Sequence, residues 1–459
     1  MKKILVAMLI ACMILSVASV ALAAFKPITN ERTGDDYTKL EDALAAAAAG
    51  DTIRLNTDIT LTTGLIVPSG MTVTLDLNGY TVSMEKACTE HFAMITNKGT
   101  MTIDDSFGGG AISFTDTGSG DPEYGWGSYT VRNEGTLTLE NGTIENNSNI
   151  ATGVSYALDV QGGSVTMNGG SVICDNKVAI RQFSTGTVTI NDGEVTGSRG
   201  IWLQAAGSDT SVAPTMTLNV NGGTITNSNE SDLAIYCTSN GNSLKNVKIN
   251  ITGGKITGWI GLTGGTNKTA CETVNISGGD IFGVYSYSED QEMAMETITI
   301  TGGTFSDFGY TDYYCSDDGY MCVENSSGEG YEYIVVPAVS ISFDANGGTG
   351  IMEDYEQYPA GEYTLPDNGF TAPEGKQFKG WQINGTGNYA AGTVVELNED
   401  ATITAIWEDI PAQAPAAPTA PVAPAPKTGD NTNIALWMAL MAISAVALVG
   451  LRKKAKASK

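Results

Sequence analysis

From Asp51 onward, apolar residues fall at every second position in short segments: Ile53 and Leu55, Ile59 and Leu61, then Val73, Leu75 and Leu77. Alternation of this kind turns one face of a strand to a core and the other to solvent. Asn, Asp, Gly and Pro separate the segments, as turns require. Strands this short hold no core alone, so the pattern predicts an array in which each covers the next.

A repeat makes the array explicit. LTLENGTI at 137–144 is followed by VTMNGGSV at 165–172, VTINDGEV at 188–195, LNVNGGTI at 218–225, INITGGKI at 249–256, VNISGGDI at 274–281 and ITITGGTF at 298–305. The aligned glycines, Gly142, Gly170, Gly193, Gly223, Gly254, Gly279 and Gly303, lie 23 to 31 residues apart. Strand–Gly–strand units at this period predict a solenoid, a parallel β-helix. The Gly permits the bend between two strands of one coil, where a side chain clashes or φ must be positive. Leucine-rich repeats would need helices and asparagine ladders in a leucine frame, and propeller blades about 40 residues per repeat. Before the array, Thr38 and Glu41 have capping-box spacing, and the alanines at 45–49 lead to Gly50. A helix over 38–49 follows, its apolar face (Leu40, Ala43, Leu44) needing cover.

Both ends of the chain are apolar for another reason. Lys2 and Lys3 precede an apolar run from Ile4 to Val20, and Ala21 and Ala23 supply the small-x-small pattern of signal cleavage, so residues 1–23 read as a secretory signal peptide. Ile434–Leu451 is uncharged and 18 residues long, enough to cross a bilayer core as a helix, and a basic tail follows it. Residues 411–426 are almost only Pro and Ala, which predicts an extended polyproline II spacer.

Composition narrows the partners. The chain has 51 acidic and 24 basic residues, and removal of both ends leaves 50 against 17. Such a field excludes nucleic acid as a partner and makes anionic lipid surfaces poor ones. Six cysteines remain after Cys12 leaves with the signal peptide; export permits disulfides, and spacing names no pairing, although Cys315 and Cys322 could close a short loop. With no CxxC and a single histidine, His91, neither a metal site nor a cofactor is expected.

Three resemblances attach to these residues. Ala425-Pro426-Lys427-Thr428-Gly429, the apolar span and the basic tail resemble the LPxTG-type sorting signal of Gram-positive wall-anchored surface proteins, with Ala425 in place of the family's Leu. The resemblance implies that a sortase cuts between Thr428 and Gly429 and joins Thr428 to peptidoglycan, the helix over 434–451 holding the chain in the membrane until then. YTKLEDALAAAAAGDTIRL, VPSGMTVTLDLNGYTVS and NKGTMTIDDS resemble right-handed β-helix proteins of the pectin-lyase-like group, in which a short helix caps the core. VSISFDANGGTG, TLPDNGFTAPEGKQFKGW and ATITAIW, within 338–409, resemble the Listeria–Bacteroides (internalin-type) repeat, a small β-grasp-like α+β domain. In it Phe343, Phe378, Trp381 and Trp407 are expected in the core.

The resulting order is signal peptide 1–23, β-helix 24–337, repeat domain 338–409, Pro/Ala spacer 410–424 and sorting signal 425–459. The expected protein is secreted and anchored to the cell wall. Galacturonan hydrolases of the pectin-lyase-like group use clustered Asp beside Gly-His-Gly, and its lyases use arginine beside a calcium site. Here the single histidine stands in Glu90-His91-Phe92 and arginines before the spacer are few (Arg32, Arg54, Arg132, Arg181 and Arg199), although Asp104 with Asp105, or Asp159, are candidate acids for glycosidase chemistry. The strands after the Gly turns align Leu158, Ile180, Ile201, Ile235 and Val284 as inward residues. Asp159, Arg181, Trp202, Tyr236 and Tyr285 then form an outward column with Trp259 nearby, suited to sugar rings or a host protein. Alternatively these large residues pack under the long turns at 205–212 and 240–247, and Asp159–Arg181 is an ion pair of small value. A non-catalytic adhesin or glycan-contacting stalk is the leading expectation; a surface polysaccharide lyase or glycoside hydrolase, and a passive stalk, are the alternatives.

Overall fold

A computed structural model describes residues 26–118, 127–149, 154–205, 215–228, 233–239, 246–263, 273–286, 298–307, 309–315, 319–326 and 330–411. The signal peptide, most of the spacer, the sorting signal and the span at 434–451 lie outside the described residues. Among the described residues no helix is long and apolar enough to cross a membrane.

The chain is mainly β, and its strands stack in register as three parallel ladders, an arrangement consistent with a β-helix or solenoid. The first runs from Asp51–Leu55 through Thr72–Asp76, Thr100–Asp104, Thr136–Leu139, Ser164–Met167 and Gly186–Ile190 to Met216–Val220 and beyond. The second includes Thr81–Lys86, Ala111–Asp116 and Thr143–Asn146. The third includes Phe92–Asn97, Gly127–Asn133 and Val154–Val160. Later strands such as Ser171–Gln182 and Glu194–Ala205 turn the corner without a break and serve the second and third ladders in succession.

The inward residues of all three ladders form one core, with Leu75, Ile103, Val131, Ile144, Ile180 and Ile201 each 0 % exposed. From Gly142 onward, each described coil turns on the repeat glycine between the first and second ladders. Gly193 has φ +99°, and a Cβ there would stand 2.5 Å from the carbonyl of Gly170 one coil below; at Gly223 it would stand 2.6 Å from that of Gly193. Both reasons for a glycine hold at once: the conformation is left-handed and the neighbouring backbone is already in contact.

The outside of the first ladder is uncharged over many rungs. Thr74, Thr102, Thr138, Thr166 and Thr189 stand in one register column that continues as Asn219, Asn250 and Asn275. Asn250 donates to Asn219 at 2.9 Å and Asn275 to Asn250 at 3.0 Å. At the turn, Asn191 donates to Asn168 and Asn221 to Asn191, both at 2.8 Å. Asparagine ladders are therefore not confined to a leucine frame; here they stitch the outside of a β stack.

Both ends of the stack are closed by antiparallel strands: Ile28–Asn30 against Ile53–Leu55, and Tyr333–Ile334 against Thr304–Phe305. The early helix spans Leu40–Ala46, shorter than the expected 38–49. Lys39, not Thr38, holds its N-cap and gives no side-chain cap; the backbone turns extended at Ala47, and the Ala48 N–H goes to Asp51 at 2.9 Å. Leu40, Ala43 and Leu44 are buried in the common core. Cys88, Cys174 and Cys322 are free thiols, each pushed up to about 12 by burial, so they are inert.

The chain divides into two compact units: residues 1–371 with 378–406, and 372–377 with 407–459. The second is described only at 372–377 and 407–411, where Ile410 N–H donates to Gly375. In the first unit, strand Tyr333–Asp344 changes partner at Pro337–Ala338: earlier residues pair with Tyr320–Glu324, later ones with Tyr355–Pro359 and Ala401–Thr404. Past that point the centre is Trp381, 0 % exposed, with Phe343, Phe370 and Phe378 edge-on at 4.9 to 6.3 Å and its indole N–H on the Pro366 carbonyl. Phe343, Phe378 and Trp407 are only half-buried.

Candidate ligand face on the third ladder

The third ladder carries a register column that runs Arg132, Asp159, Arg181, Trp202, Tyr236, Gly261, Tyr285. The preceding residue of each strand points the other way: Leu158, Ile180, Ile201, Ile235 and Val284 are all buried and in register. Trp202 and Tyr236 stack with centroids 6.0 Å apart and planes 28° apart, and the Trp202 indole N–H donates to Thr238 at 2.9 Å. The guanidinium of Arg199 lies 5.0 Å from the Tyr236 ring. One rung on, the column position is Gly261, where a Cβ would stand 2.8 Å from Leu233. Trp259 fills the face instead, edge-on to Tyr285 at 5.3 Å and to Phe282 at 5.1 Å. Trp202, Tyr236, Trp259 and Tyr285 are half-buried, each keeping part of its surface in solvent.

Toward the N-terminus the same column becomes charged, and here the pair expected to be exposed is not. Asp159 is 0 % exposed. It accepts from Arg181 Nε at 2.8 Å, from Arg132 Nε at 3.2 Å and from Gln161 Nε2 at 3.0 Å. Desolvated charges cost several kcal/mol unless fully satisfied, and this triad is satisfied by neighbours on both sides. It stands on a second cluster that alternation does not reveal, made by Tyr129, Tyr156 and Val178 outside the main core. The two tyrosine rings stack at 5.7 Å, and Arg181 lies 4.4 Å from Tyr156 and 4.5 Å from Phe183. Burial pushes the Tyr156 hydroxyl up to about 12 and raises that of Tyr129. The Asn146 amide holds the bend by donating to Ser128 and Tyr156 carbonyls, each at 3.2 Å. His91 accepts from Gly127 N–H at 2.8 Å. No family model, curated protein or solved structure matches the chain.

The candidate acids are engaged in the backbone. Asp105 accepts from Gly79 and Gly110 N–H, both at 2.6 Å, and Asp104 from Asp105 N–H at 2.8 Å and Asn141 at 3.0 Å. Each fixes a turn of the stack. The face can therefore offer partly exposed aromatic side chains next to guanidinium groups, a surface for apolar contact and hydrogen bonding. The signal for Tyr129, Tyr156 and Arg132 was present in the sequence, one and two repeats ahead of Arg181, but alternation from Val131 and Leu158 assigns both tyrosines to the core.

Proposed function

We propose that the chain is an exported, wall-anchored and non-catalytic surface protein whose right-handed β-helix presents the third-ladder face to an extracellular glycan or host protein. On this reading sortase joins Thr428 to peptidoglycan, the Pro/Ala spacer holds the β-grasp-like module and the helix away from the wall, and the span at 434–451 is a transient membrane anchor. The observation that carries the reading is the aromatic column of Trp202, Tyr236 and Tyr285, with Trp259 beside Gly261 in the rung between the two tyrosines, all four partly exposed. A run of partly exposed aromatic side chains along one face suits contact with a sugar chain or a protein partner, where aromatic anchors carry much of the binding energy.

The test is a screen of residues 24–410 on immobilised glycans and mucins, with product analysis of the same mixtures. Saturable binding that weakens at least about tenfold in Trp202→Ala supports the reading. Cleavage products would replace it with a glycan-degrading enzyme, and absence of binding would leave a passive stalk.

A further inference from the structure

The small module past Pro337 holds an open strand edge that the third-ladder reading does not use. Strand Val394–Leu397 pairs antiparallel with Gly361–Thr364 in a sheet of two strands only. All four of its residues line a groove of about 590 Å³, whereas none of Gly361–Thr364 does. The groove thus lies along the far edge of Val394–Leu397, where, among the described residues, the backbone N–H and C=O groups have no strand beside them. Its other wall is the hairpin at Ile383–Tyr389. An open edge is a template for a further strand unless it is blocked. The strand is short and carries one charge, Glu396, but neither a lysine nor a proline stands on it, and Val394 is 55 % exposed.

Charge selects the occupant. Glu362 and Glu396 stand directly opposite each other across the two strands, an arrangement that destabilises a sheet. Glu399 lines the same groove. None of the three is in an ion pair among the described residues. We infer that this edge accepts an extended, lysine- or arginine-bearing segment of a partner protein as an added strand. Main-chain hydrogen bonds give the affinity, and cationic side chains relieve the Glu362–Glu396 repulsion. Four paired residues span about 13 Å at ~3.3 Å each, the length of Val394–Leu397.

The probe is a fluorescein-labelled decapeptide of alternating lysine and valine, titrated into the full chain and followed by polarisation. Saturable binding is expected, with amide exchange slowed at 394–397. Methylating the backbone nitrogens of alternate residues should weaken it at least about tenfold, since each methyl removes a donor. Replacing all three acids, E362Q with E396Q and E399Q, should weaken it by about tenfold through lost ion pairs. No saturation by millimolar peptide overturns the inference. Equal binding by the N-methylated peptide also overturns it, because the attraction is then only that of a cation for an acidic protein; so does equal binding by the triple variant. None of these outcomes bears on the third-ladder face, which Trp202→Ala tests separately.

Discussion

Asp159 is the residue on which the charged half of the third-ladder face depends. It is fully buried and joins Arg132 to Arg181, and Arg181 in turn covers the Tyr156 ring. Removing it leaves Arg181, whose side chain is 9 % exposed, without a counter-charge. Asp159→Ala should therefore cost about 3–5 kcal/mol, read as a lower denaturant midpoint at unchanged slope. A loss below about 1 kcal/mol would mean that the pair behaves as an exposed one. At this scale the sequence showed which residues share the column, because alternation from Leu158 and Ile180 is simple counting. It did not show that Asp159 is sealed, since that depends on Arg132 one rung below and Arg181 one rung above acting together.

At the scale of the element, the glycine turn is where sequence and structure agree most closely. The repeat spacing identified Gly170, Gly193 and Gly223, and the stack explains them by carbonyl oxygens of one coil lying against the α-carbon of the next. Gly193→Ala meets two obstacles, a left-handed φ and a backbone atom at 2.5 Å that cannot swing away. Gly50, with φ +87° and open space around it, meets only the first. Gly50→Ala should cost roughly 1–2 kcal/mol, and Gly193→Ala clearly more. Equal losses would show that coil-to-coil contact adds nothing. The early helix was less legible. Thr38 and Glu41 have the right spacing for a capping box, but Asp51, held in place by Asn30 and Arg32 about twenty residues upstream, takes the Ala48 N–H just past the end of the helix at Ala46.

For the whole molecule, the stack is a one-dimensional array whose ends matter more than its middle, because an end rung has a neighbour on one side only. Asp51 guards the first rung: Arg32, Asn30 and the Ala48 N–H all donate to its carboxylate, and the arginine and asparagine hold it well below the usual carboxylate range. A depressed folded value adds stability that is present above the unfolded value of about 3.9 and is lost as pH falls below it. The melting temperature should drop between about pH 5 and about pH 2, and Asp51→Asn should start lower and follow a flatter curve. Parallel curves for the two proteins would remove Asp51 from the account. The same geometry sets how the array answers tension. Hydrogen bonds between rungs point along the stacking direction, so a pull in that direction strains them a rung at a time instead of many side by side. Each rung released frees 23 to 31 residues of chain, on the order of 80–110 Å. Where Asn219, Asn250 and Asn275 join side chain to side chain, a second thread runs parallel to the backbone bonds, so those coils should be among the last to peel.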